Sequence, residues 1–284
     1  MSKKLKIIIM CIALFCIIVL GISIYTAIKS NNYGTIANVI VPTMLGIFVI
    51  FQMRASEKTE RESIKKNAEY ISKLYPDIIR DSFSNNDELY EKLIVLIIKF
   101  MQSKNKRAIK LANDLLKKCG ANNERAAVMF FKACALKNNG NNDDAIALYE
   151  DLISFEEGFD RAWSNLGLLY AVKGNTEKSK ICYVKAISVN PSNVYAMTNY
   201  AHLCYEIKDY ENAEQLGLKA FNADTKRYNA CEILALIYAA KGDKENATIF
   251  YNKAVENKLP NPEILRGMMT AEKAVRFALK TKQN

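Results

Sequence analysis

Two different patterns of apolar residues divide this chain near residue 54. Before it, residues 7–28 (IIIMCIALFCIIVLGISIYTAI) run for 22 positions without a charge. A second uncharged run, Ser30–Met53, has IANVIVPTMLGIFVIF as its apolar part. After it, apolar residues recur at offsets of three, four and seven, the period of an amphipathic helix. At a rise of about 1.5 Å per residue, the first run is long enough for a hydrocarbon core of roughly 30 Å. It exceeds the roughly 7–15 apolar residues of a cleavable leader, and it has no A-x-A site. The pattern predicts an N-terminal two-helix transmembrane hairpin in residues 1–53, with spans at about 7–28 and 35–53 and a turn at Lys29–Gly34.

Lysine and arginine placement orients that hairpin. Lys3, Lys4 and Lys6 precede the first span, and Arg54, Lys58, Arg61, Lys65 and Lys66 follow the second, while the turn holds only Lys29. By the positive-inside rule both termini, and everything after residue 54, face the cytoplasm at the cell membrane. Asn38, Pro42 and Thr43 dilute the second run, so the same residues also allow a single span that leaves the rest of the chain exported. Residues 54–86 form a charged stalk or linker, with Glu57/Arg61 and Glu62/Lys66 at helical spacing and a break at Pro76.

Within the helical part the pattern repeats every 34 residues. Met129, Trp163, Met197 and Cys231 form one column, Ala133, Gly167, Ala201 and Ala235 a second, and Leu136, Tyr170, Cys204 and Tyr238 a third. A second cluster aligns Ala145, Ser179, Ala213 and Ala247, then Tyr149, Tyr183, Gly217 and Tyr251, then Leu152, Ala186, Ala220 and Ala254. Gly140, Gly174 and Gly242 separate the clusters, with Lys208 standing in for glycine once. Each unit is therefore helix, tight turn, helix, with small residues where the two helices meet. One such pair cannot bury its apolar face alone, so neighbouring units must stack.

The series Trp163, Leu166, Gly167, Tyr170, Ser179, Tyr183, Ala186, Pro191 resembles the tetratricopeptide repeat (TPR) family. Four such repeats are delimited at 126–159, 160–193, 194–227 and 228–261, with a degenerate first repeat at 87–125 and a C-terminal capping helix at 262–284. Lys132, Gly217 and Thr225 depart from the family pattern. In the capping helix, Leu265, Met268, Met269, Val275 and Leu279 mark the inward face. The resemblance implies an all-α superhelical solenoid, here preceded by the transmembrane hairpin.

Little in the sequence points to chemistry. His202 is the single histidine, and there is no phosphate-binding glycine loop and no C-x-x-C pair, so no cofactor, no metal and no enzymatic activity are expected. The seven cysteines are expected to be reduced, with Cys119, Cys134, Cys182, Cys204 and Cys231 as small core residues. NGNNDDAIALYE echoes a calcium loop, but Asp144 stands where that loop needs glycine, and helix capping accounts for the same Asn and Asp residues.

Function in this family lies on the concave groove built from the first helix of each repeat. The resemblance places Phe130, Arg161, Tyr195, Thr198, His202, Tyr205, Asn229 and Glu232 there, together with Ala127, Cys134, Ser164, Leu168 and Leu236. The paired Lys and Asn side chains with which some members hold a chaperone C-terminus are missing, and Asn165 and Asn199 do not replace them.

Charge adds one more feature to a chain of net charge +10. Lys92–Lys137 holds 11 Lys/Arg against 2 Asp/Glu, whereas Asn138–Leu259 holds 13 against 17. Lys104, Lys106, Arg107, Lys110, Lys117 and Lys118 form a basic patch suited to anionic headgroups. Without interleaved aromatics, nucleic acid is a poor fit.

The expectation is a membrane-anchored TPR scaffold or adaptor, in a bacterium to judge by Asn, Lys and Ile usage, that binds a protein or peptide partner. An alternative is a membrane-active effector whose hairpin oligomerises under control of the repeats. The oligomeric state itself is not encoded legibly.

Overall fold

The computed structural model describes residues 62–75 and 87–271, together with Ile18, Gln52, Ala55, Lys58, Thr59 and Ile78. Apart from Ile18 and Gln52, the predicted hairpin and its turn lie outside these residues, as does the distal part of the capping helix. Among the described residues no helix is long and apolar enough to cross a membrane. The chain divides into two units, Met1–Pro76 and Asp77–Asn284.

In the first unit a helix runs over 62–74 and stops ahead of Pro76, where a missing N–H would break the hydrogen-bond ladder. Glu62 approaches Lys58 at 4.0 Å rather than the expected Lys66, and Glu69 pairs with Lys73 at 2.9 Å. Glu57 and Arg61 lie outside the described residues.

The second unit is all-α. Its helices are α1 (Asp87–Met101), α2 (Asn105–Leu116), α3 (Asn122–Asn138), α4 (Asn142–Phe155), α5 (Asp160–Val172), α6 (Thr176–Val189), α7 (Val194–Glu206), α8 (Tyr210–Ala223), α9 (Tyr228–Lys241) and α10 (Lys244–Glu256). A further helical stretch covers 262–271. Each helix packs on the next, as α1 on α2 and α5 on α6, and the first helices of successive hairpins also touch, as α1 with α3, α5 with α7 and α7 with α9. With α5, α7 and α9 drawn together in one layer, the second helices form the outer layer, and the array curves around the first.

The small-residue columns sit where the two helices of a hairpin approach. A Cβ on Gly167 would stand 2.7 Å from Cε1 of Tyr183 and 3.2 Å from Cβ of Cys182. Ser179, fully buried on the opposite helix, donates its hydroxyl to the Gly167 carbonyl at 2.8 Å. Tyr170 is buried beside this contact, whereas Trp163 is half-buried and donates its indole N–H to the Glu157 carbonyl at 2.8 Å. Gly217, the departure from the tyrosine column, is filled from the next repeat: Cδ2 of buried Leu234 would lie 2.8 Å from a Cβ there.

The turns share one closure. Asn141, Asn175, Asp209 and Asp243 donate their N–H to the carbonyls of Leu136, Tyr170, Cys204 and Tyr238 at 2.8–3.0 Å, each following a residue in the left-handed region. That residue is Gly140, Gly174 and Gly242 in three turns, and Lys208, with φ 64°, in the fourth. Asn175, Asp209 and Asp243 then cap the next helix by accepting a backbone N–H. Asn141 occupies the same place, but its side chain accepts from Asn139 instead, so the capping expected of this segment is positional only.

At the C-terminal end the helix begins at Pro262 as expected. Leu265 is buried and Met269 packs on the core, but Met268 is 45 % exposed alongside Ile264 and does not belong to the inward face.

Three substitutions test this packing and its turns. Gly167→Ala gains about 1 kcal/mol of helix propensity, yet it must displace a buried tyrosine ring, and net destabilisation of about 1–3 kcal/mol is expected. Gly217→Ala meets Cδ2 and Cγ of Leu234, at 2.8 and 3.1 Å, a flexible side chain rather than a ring, and should lose less, so equal losses in urea unfolding would refute the close-approach account. Lys208→Gly relieves a left-handed lysine and should stabilise by about 1 kcal/mol, read as a higher unfolding midpoint.

Candidate partner-binding groove

The inner layer is set by three first helices, α5, α7 and α9. Sequence-predicted groove residues divide into two groups on it. Phe130 is not a groove residue: it is buried, with its ring centroid 5.2 Å from that of Phe159 and 5.2 Å from that of Phe131. Ala127, Cys134 and Leu236 are buried with it in the core. Cys134 approaches the Tyr149 hydroxyl at 3.1 Å and accepts a long contact of 3.8 Å from the amide of Asn165, which in turn accepts from Lys137 at 3.3 Å. Burial pushes the Cys134 thiol and the Tyr149 hydroxyl up, so both stay protonated. Tyr205 is also largely a packing residue, against the core and against Tyr210 at 6.0 Å between centroids.

The other predicted residues stand on α5 (Arg161), α7 (Tyr195, Thr198 and His202) and α9 (Asn229 and Glu232). Tyr195 is 56 % exposed at the start of α7, with the Arg227 guanidinium 4.2 Å above its ring. Arg227 precedes α9 and is held from its other side by Asp224 at 3.0 Å, a clamp that composition and repeat register do not announce. Arg161, Leu168, Asn199, His202, Asn229 and Glu232 are half-buried. Thr198 is only 4 % exposed, and its hydroxyl has no hydrogen-bond partner. Burial drives the His202 imidazole down to about 4, so it is uncharged at neutral pH. Burial alone raises the Glu232 carboxyl above its ordinary range.

The calcium-like segment is no ion-binding loop. Asp143, Asp144 and Glu150 stand on the regular helix α4, Asp143 pairs with Lys173, and Glu150 accepts from the Tyr170 hydroxyl. Among the described residues no cluster of potential metal ligands occurs. Cys134, Cys182, Cys204 and Cys231 are free and buried, and Cys119 is partly exposed.

The predicted basic patch lies apart from the groove. Lys104, Lys106, Arg107, Lys110, Lys117 and Lys118 are all exposed on α2 and its flanks. At about 100° per residue, Lys106, Arg107 and Lys110 share one face, opposite the buried Ala108, Ala112 and Leu115, and Lys117 and Lys118 follow at the helix end. Asp114, 4.0 Å from Lys117, is the carboxylate on that face.

Comparison with known proteins agrees with this architecture. Residues 98–231 match the family described as the Psidin N-terminal TPR repeats region, and residues 228–259 match the tetratricopeptide repeat family. The photosystem I assembly protein Ycf3 of Prochlorococcus marinus is 30 % identical over 102 residues, which cover 35 % of this chain and 58 % of that protein. The uncharacterised protein ycf37 of Pyropia yezoensis is 34 % identical over 74 residues, which cover 25 % of this chain and 42 % of that protein. The chain thus spans about half the length of these two relatives. A thermophilic TPR protein of Thermus thermophilus superposes with a TM-score of 0.54 at 17 % identity, over 65 % of this chain and 98 % of its own. BtubC of P. vanneervenii gives 0.53 at 14 %, over 69 % and 91 %. The chain carries tetratricopeptide repeats folded as an all-α solenoid.

The depressed imidazole makes stability depend on pH. Unfolded His202 takes a proton near pH 6.5 and the folded form only near 4, so its contribution is complete above pH 6.5 and is lost as pH falls toward 4. Thermal melts from pH 7 to 4.5 should fall less steeply for His202→Gln than for the parent. Parallel curves would show that the imidazole is solvated.

Proposed function

We propose that this chain is a membrane-anchored scaffold or adaptor whose groove on α5, α7 and α9 binds a segment of a protein partner. The observation that carries the reading is the exposed Tyr195, held in place by Arg227, beside half-buried Asn199, Asn229 and Glu232. A rigid aromatic next to partly desolvated polar groups is the composition of a binding floor rather than of ordinary surface. The relative whose name describes photosystem I assembly supports a role in bringing proteins together. The mechanism is binding, with no chemistry of its own.

Residues 7–28 and 35–53 supply the anchor in this reading, with the repeats on the cytoplasmic side. Anchoring raises the partner's local concentration at the bilayer. The basic face of α2 contacts anionic headgroups, each cation contributing roughly 1 kcal/mol when close to the surface.

A photo-crosslinking amino acid placed at Tyr195 or Asn229 of the full-length protein, in the cells that produce it, should trap the same discrete protein. The same probe at Ile181, exposed on the outer helix α6, should not. Crosslinks confined to position 181 would move the partner site to the outer layer.

A further inference from the structure

Ser164, Thr198 and Glu232 occupy the same repeat position, 34 residues apart, on α5, α7 and α9. Those helices pack side by side, so at an interaxial spacing of about 8–10 Å the three side chains form a row across the groove floor. One repeat earlier the row is closed by the buried ring of Phe130. Beyond it the row is polar, and two of its groups are left unmatched. Thr198 is only 4 % exposed, and its Oγ1 meets no hydrogen-bond partner. Glu232 is half-buried, and among the described residues no cation pairs with it. Next to Thr198, the side chain of half-buried Asn199 makes no hydrogen bond among the described residues.

Both defects are costly to a fold. A buried hydroxyl without a partner sacrifices its water hydrogen bonds, and a half-buried carboxylate without a cation gives up part of its hydration uncompensated. Elsewhere in the repeats, comparable groups are matched: Ser179 with the Gly167 carbonyl, and Glu214 with both Tyr238 and Lys241. The nearby cation Arg227 is engaged by Asp224 and Tyr195 and does not serve Glu232. One turn along α7, His202 is uncharged at neutral pH and does not repel an incoming cation.

We infer that Thr198 and Glu232 form a subsite for a basic side chain, arginine above lysine, carried by the peptide segment that the groove binds. The guanidinium pairs with the Glu232 carboxylate, and its remaining N–H groups donate to Thr198 Oγ1 and to the Asn199 side-chain carbonyl. Arginine is favoured because its planar fork presents several donors at once, while a lysine ammonium is a point charge. This inference rests on the groove reading above and adds the chemical class of its partner.

The test uses the full-length protein and fluorescein-labelled decapeptide pools. The central residue is fixed as arginine, lysine, citrulline or glutamate, and the other positions are drawn equally from Ala, Leu, Tyr, Ser and Gly. By fluorescence anisotropy the arginine pool should bind about ten-fold more tightly than its uncharged isostere citrulline, the weight of one charge-assisted pair. Glu232→Gln, which removes an unmatched charge and keeps the shape, should abolish that preference, so that the arginine and citrulline pools bind alike. Thr198→Val should reduce it in part.

Equal binding of the arginine and citrulline pools, or a preference that survives Glu232→Gln, overturns the subsite. If those equally bound pools are weakened by Tyr195→Ala, the groove reading stands without its cation. If no pool binds, both fall together.

Discussion

The close approach of the two helices within each hairpin is the constraint on which the rest of this structure depends. At Gly167 the backbone of α5 lies so near α6 that the ring of Tyr183 occupies the space a side chain would need, and Ser179 bonds the exposed carbonyl. A hairpin packed this tightly has room beside the glycine for the Tyr183 ring, and other large side chains reach across to the neighbouring hairpin. Tyr170 reaches back to Glu150 and Tyr238 to Glu214, each linking a first helix to the preceding hairpin. Lys173 with Asp143 and Lys241 with Glu214 fasten the same seams. Because the first helices also touch one another, α5, α7 and α9 form a continuous inner layer, and the groove is a consequence of that layer.

Much of this was legible in the chain because it depends on backbone geometry that recurs. A 34-residue spacing of small residues marks where helices meet, whatever fills the space around them. The exceptions show where legibility ends. Lys208 adopts the left-handed conformation that its three glycine counterparts occupy, so the turn was readable from register although the residue argued against it. Gly217 lacks the ring of its column, and the vacancy is filled by Leu234 from another helix, which no local pattern discloses. The calcium-like run was ambiguous for a similar reason. Two of its acidic residues, Asp143 and Glu150, are engaged by Lys173 and Tyr170 from the following helix and its end, and only the folded chain brings those together.

The groove was legible only as a register. Phe130 and Thr198 occupy equivalent repeat positions, yet one is absorbed into an aromatic cluster with Phe131 and Phe159 while the other lies on the polar part of the floor. What separates them is the supply of neighbouring rings, and rings arrive from helices distant in sequence. Tyr205 shows the same effect, drawn onto Tyr210 and the core instead of the open face. Arg227 enters from the opposite direction: it lies outside the groove positions of the repeat, and its stacking on Tyr195 is what gives that tyrosine a fixed place.

The distribution of satisfied and unsatisfied polar groups then separates scaffold from site. A repeat core can include polar residues provided each is matched, and Ser179, Tyr149 and Glu214 obey that rule. Thr198 and Glu232 break it, side by side on adjacent helices, in the one layer that faces inward. Oδ1 of Asn105 also lacks a partner, but it stands at the start of α2, outside the four regular repeats. If packing alone had shaped the inner layer, an alanine or leucine at either position would lower the free energy of the fold, as Ala133, Ala201 and Ala235 do at the neighbouring column. Repeats match their buried polar atoms elsewhere, and the two groups left unmatched along one floor are the ones that the proposed basic side chain would satisfy.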